Sequence, residues 1–251
     1  MKLLSLHGVS VNYGDFTALR NVNLDVCGDD FLGVIGPNGG GKTTLVKAIL
    51  GMVAYTGEIA YHSPLSAPRM GRAAHGIGYL PQQNVFDRSF PISVGEVVLS
   101  GLQALKGVAG RYTRSDKRLA AELMEMVGIA DIARKPVGEI SGGQMQRAFL
   151  CRALISEPRL LILDEPATYV DNKFEKELYD ILRSMNERMA VIMVSHDLGI
   201  ITSVVKNIVC VNREVHRHNS NEITAEQLAN YDCPIQLITH GEVPHTVLGK
   251  H

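Results

Sequence analysis

Gly36-Pro37-Asn38-Gly39-Gly40-Gly41-Lys42-Thr43-Thr44 decides how the rest of the chain is read. Its spacing is Gly-x4-Gly-Lys-Thr, that of a phosphate-binding loop. Before it, Phe31-Leu32-Gly33-Val34-Ile35 is short and apolar, as a buried parallel strand is; after it, Leu45 to Leu50 reads as a helix that Gly51 stops. Strand, glycine loop and helix thus follow one another, the context the motif requires. The glycines let the backbone curl with its N–H groups pointing inward at the positive end of a helix dipole. There the β- and γ-phosphates of a nucleotide meet converging donors. Lys42 adds a point charge on those phosphates, and the Thr43 hydroxyl is placed to ligate Mg2+. The competing reading, a glycine-rich turn with a chance lysine, does not explain the strand and helix on either side.

Composition narrows the rest. At 251 residues the chain suits one large α/β domain, or a core with a subdomain, rather than two full domains. The 25 Lys and Arg against 26 Asp and Glu leave a net charge of -1, so no overall basic field draws the protein to nucleic acid or to an anionic membrane. Cys27, Cys151, Cys210 and Cys233 are scattered without a Cys-x-x-Cys pair, which fits a reducing cytosol. No apolar run approaches the roughly 18 residues of a membrane-spanning helix, and the first eight residues are too short and polar for a signal sequence. A role at a membrane would need a partner to hold the chain there.

Around the loop the pattern alternates between strand and helix. Leu3 to Val26 reads as antiparallel strands about a turn at Asn12-Tyr13-Gly14-Asp15, with Val22-Asn23-Leu24-Asp25-Val26 strictly apolar/polar. Tyr13 is either an aromatic able to stack on an adenine ring or an ordinary turn tyrosine. Gly76 to Leu80 is a short strand that delivers Pro81-Gln82-Gln83 at its carboxyl end, where α/β sheets bind ligands. Thr113 or Ser115 caps a helix with Leu119, Leu123, Met126 and Val127 on one face. Ser141-Gly142-Gly143-Gln144 has the Ser-x-x-Gln form of a reciprocal N-terminal cap, and another helix spans Lys173 to Arg188. Strands at Leu160 to Leu163 and Ala190 to Val194 complete a mostly parallel sheet with helices on both faces.

The second chemical element follows Leu160-Leu161-Ile162-Leu163. That strand runs straight into Asp164-Glu165-Pro166, two carboxylates that burial penalises unless cationic or metal partners compensate. Asp164 is suited to holding Mg2+ through its water shell, and Glu165 to orienting or deprotonating an attacking water, the division of labour of phosphoryl transfer. A plain strand-ending turn is the alternative.

Gly36 to Thr44, Gln82, Ile140-Ser141-Gly142-Gly143-Gln144, Leu160 to Glu165, Asp171 and His196 stand in the order and approximate spacing of the ATP-binding cassette (ABC) ATPases. The chain resembles that family over about residues 3 to 212, and the Ser-Gly-Gly-Gln box is the specific part. The resemblance implies a phosphate-loop, RecA-like α/β fold with a parallel sheet, an N-terminal antiparallel β layer and an inserted helical subdomain. It divides the chain into a core of about 1–85 and 158–212, a helical subdomain of about 86–157 and a tail of 213–251. It also implies Mg2+-dependent ATP hydrolysis in a head-to-tail dimer, each ATP lying between one subunit's glycine loop and the other's Ser141-Gly142-Gly143-Gln144. By the same likeness Gln82 senses Mg2+ and the γ-phosphate, His196 bonds the γ-phosphate and the water, and Asp171 lies at the dimer interface. His196 as a satisfied structural residue is the alternative.

Three departures from the family pattern stand out. Ile140 replaces a leucine at equal volume, Gly40 replaces a serine or alanine and is expected to loosen the empty loop, and Tyr169 is bulky where small residues are usual. The segment from Phe86 to Gly101 is similar to that of ATPases serving zinc, manganese and iron(II) importers. The expected partners are therefore an integral membrane permease and an extracytoplasmic solute-binding protein, with the chain at the cytoplasmic face of the membrane. A soluble ABC ATPase of iron–sulfur cluster assembly is the alternative. The tail's His216, His218, His240, His245 and His251, with Cys233, read as a solvated segment, a metal-sensing site being the competing reading.

Overall fold

The computed structural model describes residues 1–68, 74–82, 91–107, 110–167, 172–221, 235–239 and 244–248; for 172–173, 198, 235–239 and 244–248 it describes the backbone. The chain opens with β1 (Lys2–Tyr13) and β2 (Phe16–Cys27), which turn at Gly14-Asp15, then β3 (Phe31–Ile35), α1 (Lys42–Ile49) and β4 (Thr56–Tyr61). β1, β2 and β4 form the antiparallel layer that the alternation in Val22 to Val26 predicts, with β1 in the middle. Next come β5 (Ile77–Leu80) and the helices α2 (Val94–Ser100), α3 (Gln103–Lys106), α4 (Arg114–Met126) and α5 (Gly142–Leu154). The order then alternates through β6 (Leu160–Asp164), α6 (Asn172–Met185), β7 (Ala190–Val194), α7 (Leu198–Val204), β8 (Asn207–Asn212) and β9 (Glu214–His218). A separate hairpin pairs β10 (Ile235–Thr239) with β11 (Pro244–Leu248).

The central sheet has the order β5-β6-β7-β3-β8-β9, parallel through β8, with β9 antiparallel at the edge. Period two divides its side chains between two cores. Phe31, Ile35, Leu161, Leu163, Val191 and Met193 pack with the helical layer of α2, α4, α5, α6 and α7. Leu32, Val34, Leu160, Ile162, Ile192 and Val194 pack with α1 and the antiparallel layer. Because both faces are apolar, polar groups gather at the strand ends.

The helices at Thr113 and Ser141 start as their sequences predict, and a third cap of the same form stands at Ser93. Ser93, Thr113 and Ser141 each accept the N–H of the residue three positions on, whose own side chain returns a bond to the cap's N–H. Thr113, not Ser115, caps α4. The buried stripe of α4 is Ala120 and Met124, continued by Val127, with Leu119 and Leu123 packed against it, while Met126, expected on the same face as Leu119, Leu123 and Val127, is exposed. At about 100° per residue Met126 lies about 200° round the helix from Met124, so one of the two had to face water. The central sheet also runs past residue 212. His216 and His218 lie on β9 rather than in a solvated tail, and His218 is buried. His240, His251 and Cys233 lie outside the described residues, and the described residues hold no group of three or more His, Cys, Asp or Glu able to bind a metal.

Candidate nucleotide-binding site

The strand order sets the site. β6, β7 and β3 are neighbours and parallel, so Asp164-Glu165, Ser195-His196 and the glycine loop emerge side by side, with Gln82 after β5 one strand further on. The loop adopts φ of 149° at Gly36, 76° at Gly39 and 104° at Gly41, which side chains disfavour. A Cβ on Gly36 would also collide with the carbonyl of Val211. Gly40 is tied at both ends: its N–H donates to Pro37 O at 3.0 Å, and its carbonyl accepts from Arg213 N at 2.8 Å. A Cβ there would meet Val211 O at 2.8 Å, so in this chain the glycine answers close approach of the β8–β9 turn, and the expected loosening is opposed by those two bonds.

Lys42 starts α1, and its Nζ donates to Gly36 O at 2.8 Å and Pro37 O at 3.0 Å, which holds its charge over the loop. One residue on, Thr43 Oγ1 donates to Asp164 Oδ2 at 3.2 Å across 121 positions of sequence. Asp164 Oδ1 is buried without a hydrogen-bond partner. Burial pushes the Asp164 carboxyl above the usual carboxylate range, and the neighbouring Glu165 charge adds to this against the Thr43 bond and the charges of Lys42 and Lys47. A buried carboxylate with one bare oxygen beside a hydroxyl is a set of hard oxygen donors awaiting a cation.

Glu165 follows with φ of 53°, left-handed backbone that costs a non-glycine residue about 1–3 kcal/mol. Its N–H donates to Val194 O at 2.9 Å, and its Oε2 accepts from His196 Nδ1 at 2.7 Å. The Glu165 side chain is 10% exposed and that of His196 66%, so the imidazole covers the carboxylate from the solvent side. A carboxylate aimed this way, with an imidazole on one oxygen, is able to orient a water at the phosphate end of the cleft.

The loop from Pro37 to Thr44 lines a cleft of about 360 Å³ with Gln82, Asp164, Glu165, Tyr13, Phe16 and Ala18, and Gly36 and His196 stand just outside that lining. Tyr13 therefore sits at the site, as its adenine-stacking reading requires. Phe16, which the sequence reading passed over, faces Tyr13 across the β1–β2 turn and stands half exposed. Its signal was an apolar ring at the outward end of an alternating strand. The lining does not include Ser141-Gly142-Gly143-Gln144, whose cap lies at the surface with no acidic residue in the first turn. Asp171, with Thr168, Tyr169 and Val170, lies outside the described residues, as does the stretch 83–90 that carries part of the importer-like segment. Among the described residues no helix is long and apolar enough to cross a membrane.

Several known proteins are similar to this chain in sequence or in fold. The zinc uptake system ATP-binding protein ZurA of Listeria innocua is 37% identical over 218 residues, 85% of this chain and 84% of its own. The manganese transport system ATP-binding protein MntB of Halalkalibacterium halodurans is 33% identical over 214 residues, again 85% and 84%. Among solved structures, a chain of an ABC transporter assigned to the metal-chelate type, in an inward-facing conformation, matches in fold with a TM-score of 0.79 at 24% identity, covering 98% of this chain and 96% of that one. The family model described as ABC transporter matches residues 19–168, from the second strand through the paired carboxylates, and the chain belongs to that family of ATP-binding cassettes.

Proposed function

We propose that this ABC ATPase energises a membrane importer of divalent transition metal ions, zinc, manganese or iron. The likeness to zinc and manganese transport subunits over most of the chain supports the cargo. The observation that carries the chemistry is the orphaned Asp164 oxygen beside the Thr43 hydroxyl, one residue from the Glu165–His196 pair.

In this reading Tyr13 and Phe16 hold the adenine end of ATP, and the N–H groups of Gly36 to Thr44 with Lys42 hold its phosphates. Thr43 and Asp164, with Gln82, would hold Mg2+, which supplies charge neutralisation on the β- and γ-phosphates when bound. Glu165 takes the proton of the attacking water. His196 keeps Glu165 oriented through Nδ1 and offers its other nitrogen toward the γ-phosphate side. The lining of one chain's cleft has no groups from the start of α5. We therefore assign Ser141, Gly142, Gly143 and Gln144 to the ATP of a second, head-to-tail copy, with Asp171 at that interface. The helical subdomain of about 86–157 faces an integral membrane permease on the cytoplasmic side of the membrane, and the core extends beyond 212 to take in β9. An extracytoplasmic solute-binding protein would deliver the ion. No nucleic acid enters this scheme. The similar proteins named above favour transport over cluster assembly.

The test is affinity capture of tagged Glu165→Gln protein from gently solubilised native membranes with ATP present. Recovery of a multi-span permease is expected; recovery of soluble scaffold proteins alone would contradict the transport reading.

A further inference from the structure

Gln146 sits five residues into α5, inside the core at 3% exposure, where an amide is unusual unless it is used. Its Nε2 donates to the carbonyl of Pro166 at 3.1 Å, the residue immediately after Glu165. Glu165 has left the ladder in left-handed backbone, and Pro166 has no N–H to give. Among the bonds that fix where the Glu165 carboxylate points are its own N–H to Val194, His196 on Oε2, and Gln146 on the following carbonyl.

The helix carrying Gln146 is itself anchored. The neighbouring Arg147 donates from Nη1 to Val127 O at 2.9 Å and lies over the buried Phe174 ring at 3.7 Å, joining α5 to the end of α4 and to α6. Ser141 and Gln146 are about 7.5 Å apart along one rigid rod. A displacement at the capped start of α5 is thus felt at Pro166.

We infer that Gln146 is a positioning residue for Glu165, linking the Ser141 end of α5 to the orientation of the general base in the same chain. The inference rests on the reading of Glu165 as that base. Its action is on turnover and not on nucleotide affinity, because Gln146 reaches the turn after β6 and is not among the lining of the cleft.

The test compares kcat and ATP affinity in wild type, Gln146→Met, Glu165→Gln and the double variant, with thermal unfolding of each. Methionine keeps the length and volume and removes the donor; should it not fold, Gln146→Asn, which keeps the amide one methylene short of Pro166, carries the test. Gln146→Met is expected to lower kcat about tenfold with the ATP Kd changed less than about twofold, the pattern of a misaligned base. In the Glu165→Gln background the same change is expected to add less than about twofold, since there is no base left to misplace. A further tenfold loss in that background, or unchanged kcat in a folded single variant, overturns the inference while leaving the base reading intact. Full turnover in Glu165→Gln alone overturns both.

Discussion

The start of α4 and the start of α5 are built to one plan and differ in what they leave unmet. Both are reciprocal caps, Thr113 with Asp116 and Ser141 with Gln144. In α4 the third helical residue is an acid, which complements the positive helix end and also meets Lys106 at 2.8 Å. In α5 that residue is neutral, the first two helical positions are glycines, and the first turn has no acid. Those two glycines give the exposed start of α5 no side chains of its own and more backbone freedom to lose than alanine would. The nucleotide cleft continues the contrast, with a bare buried carboxylate oxygen, a glutamate in left-handed backbone and a lysine over loop carbonyls. In α4 the cap and its ion pair hold the fold, whereas at the cleft the Asp164 oxygen is buried without a partner. The comparison can be broken at four points.

The largest effect is expected at Glu165. Glu165→Gln should keep ATP binding and lower turnover by roughly 10²-fold or more, the scale of a positioned general base, measured by steady-state phosphate release. Next is Lys42→Ala, which should weaken ATP binding by roughly 10- to 100-fold in a direct titration, the range of a charge-assisted hydrogen bond. Unchanged affinity there would remove the loop from phosphate binding.

Gln144→Glu makes α5 resemble α4. It should leave thermal stability unchanged or raised while turnover falls about tenfold, if the added charge faces the phosphate that the proposed head-to-tail dimer brings to it. A variant as active as wild type would mean that the uncompensated helix start has no anionic ligand.

The smallest effect belongs to α4. Lys106 first, then the Thr113 N–H, lowers the Asp116 carboxyl to about 2. With the folded value below the unfolded one, its stabilisation is present above about pH 4 and is lost as pH falls toward 2. Asp116→Asn should lower Tm on the order of 1–2 °C at pH 7, a gap that narrows by pH 2.5 and closes only as pH falls below the folded value of about 2, with turnover untouched.

Local and periodic features were legible before the structure. The glycine loop, the doubly buried strands, the caps at Thr113 and Ser141 and the carboxylates after Leu163 each announce themselves within a few residues. What the sequence hid depends on how distant pieces meet. Phe16 is one more apolar residue in an alternating strand until the β1–β2 turn brings it opposite Tyr13. The bond from Gln146 to Pro166 joins two elements 20 residues apart, and the closeness of Gly40 to Val211 comes from β8 lying beside β3. Met124 and Met126 have the same chemistry, and only the facing helices decide between them.

The most direct test of the contrast is the oligomeric state of Glu165→Gln by size exclusion with light scattering, with and without ATP, alongside the same variant carrying Gln144→Glu. If the open groups of the cleft and of α5 close on one ATP between two copies, Glu165→Gln will be a dimer only with ATP, and Gln144→Glu will weaken that dimer. A monomer at saturating, bound ATP would contradict the account.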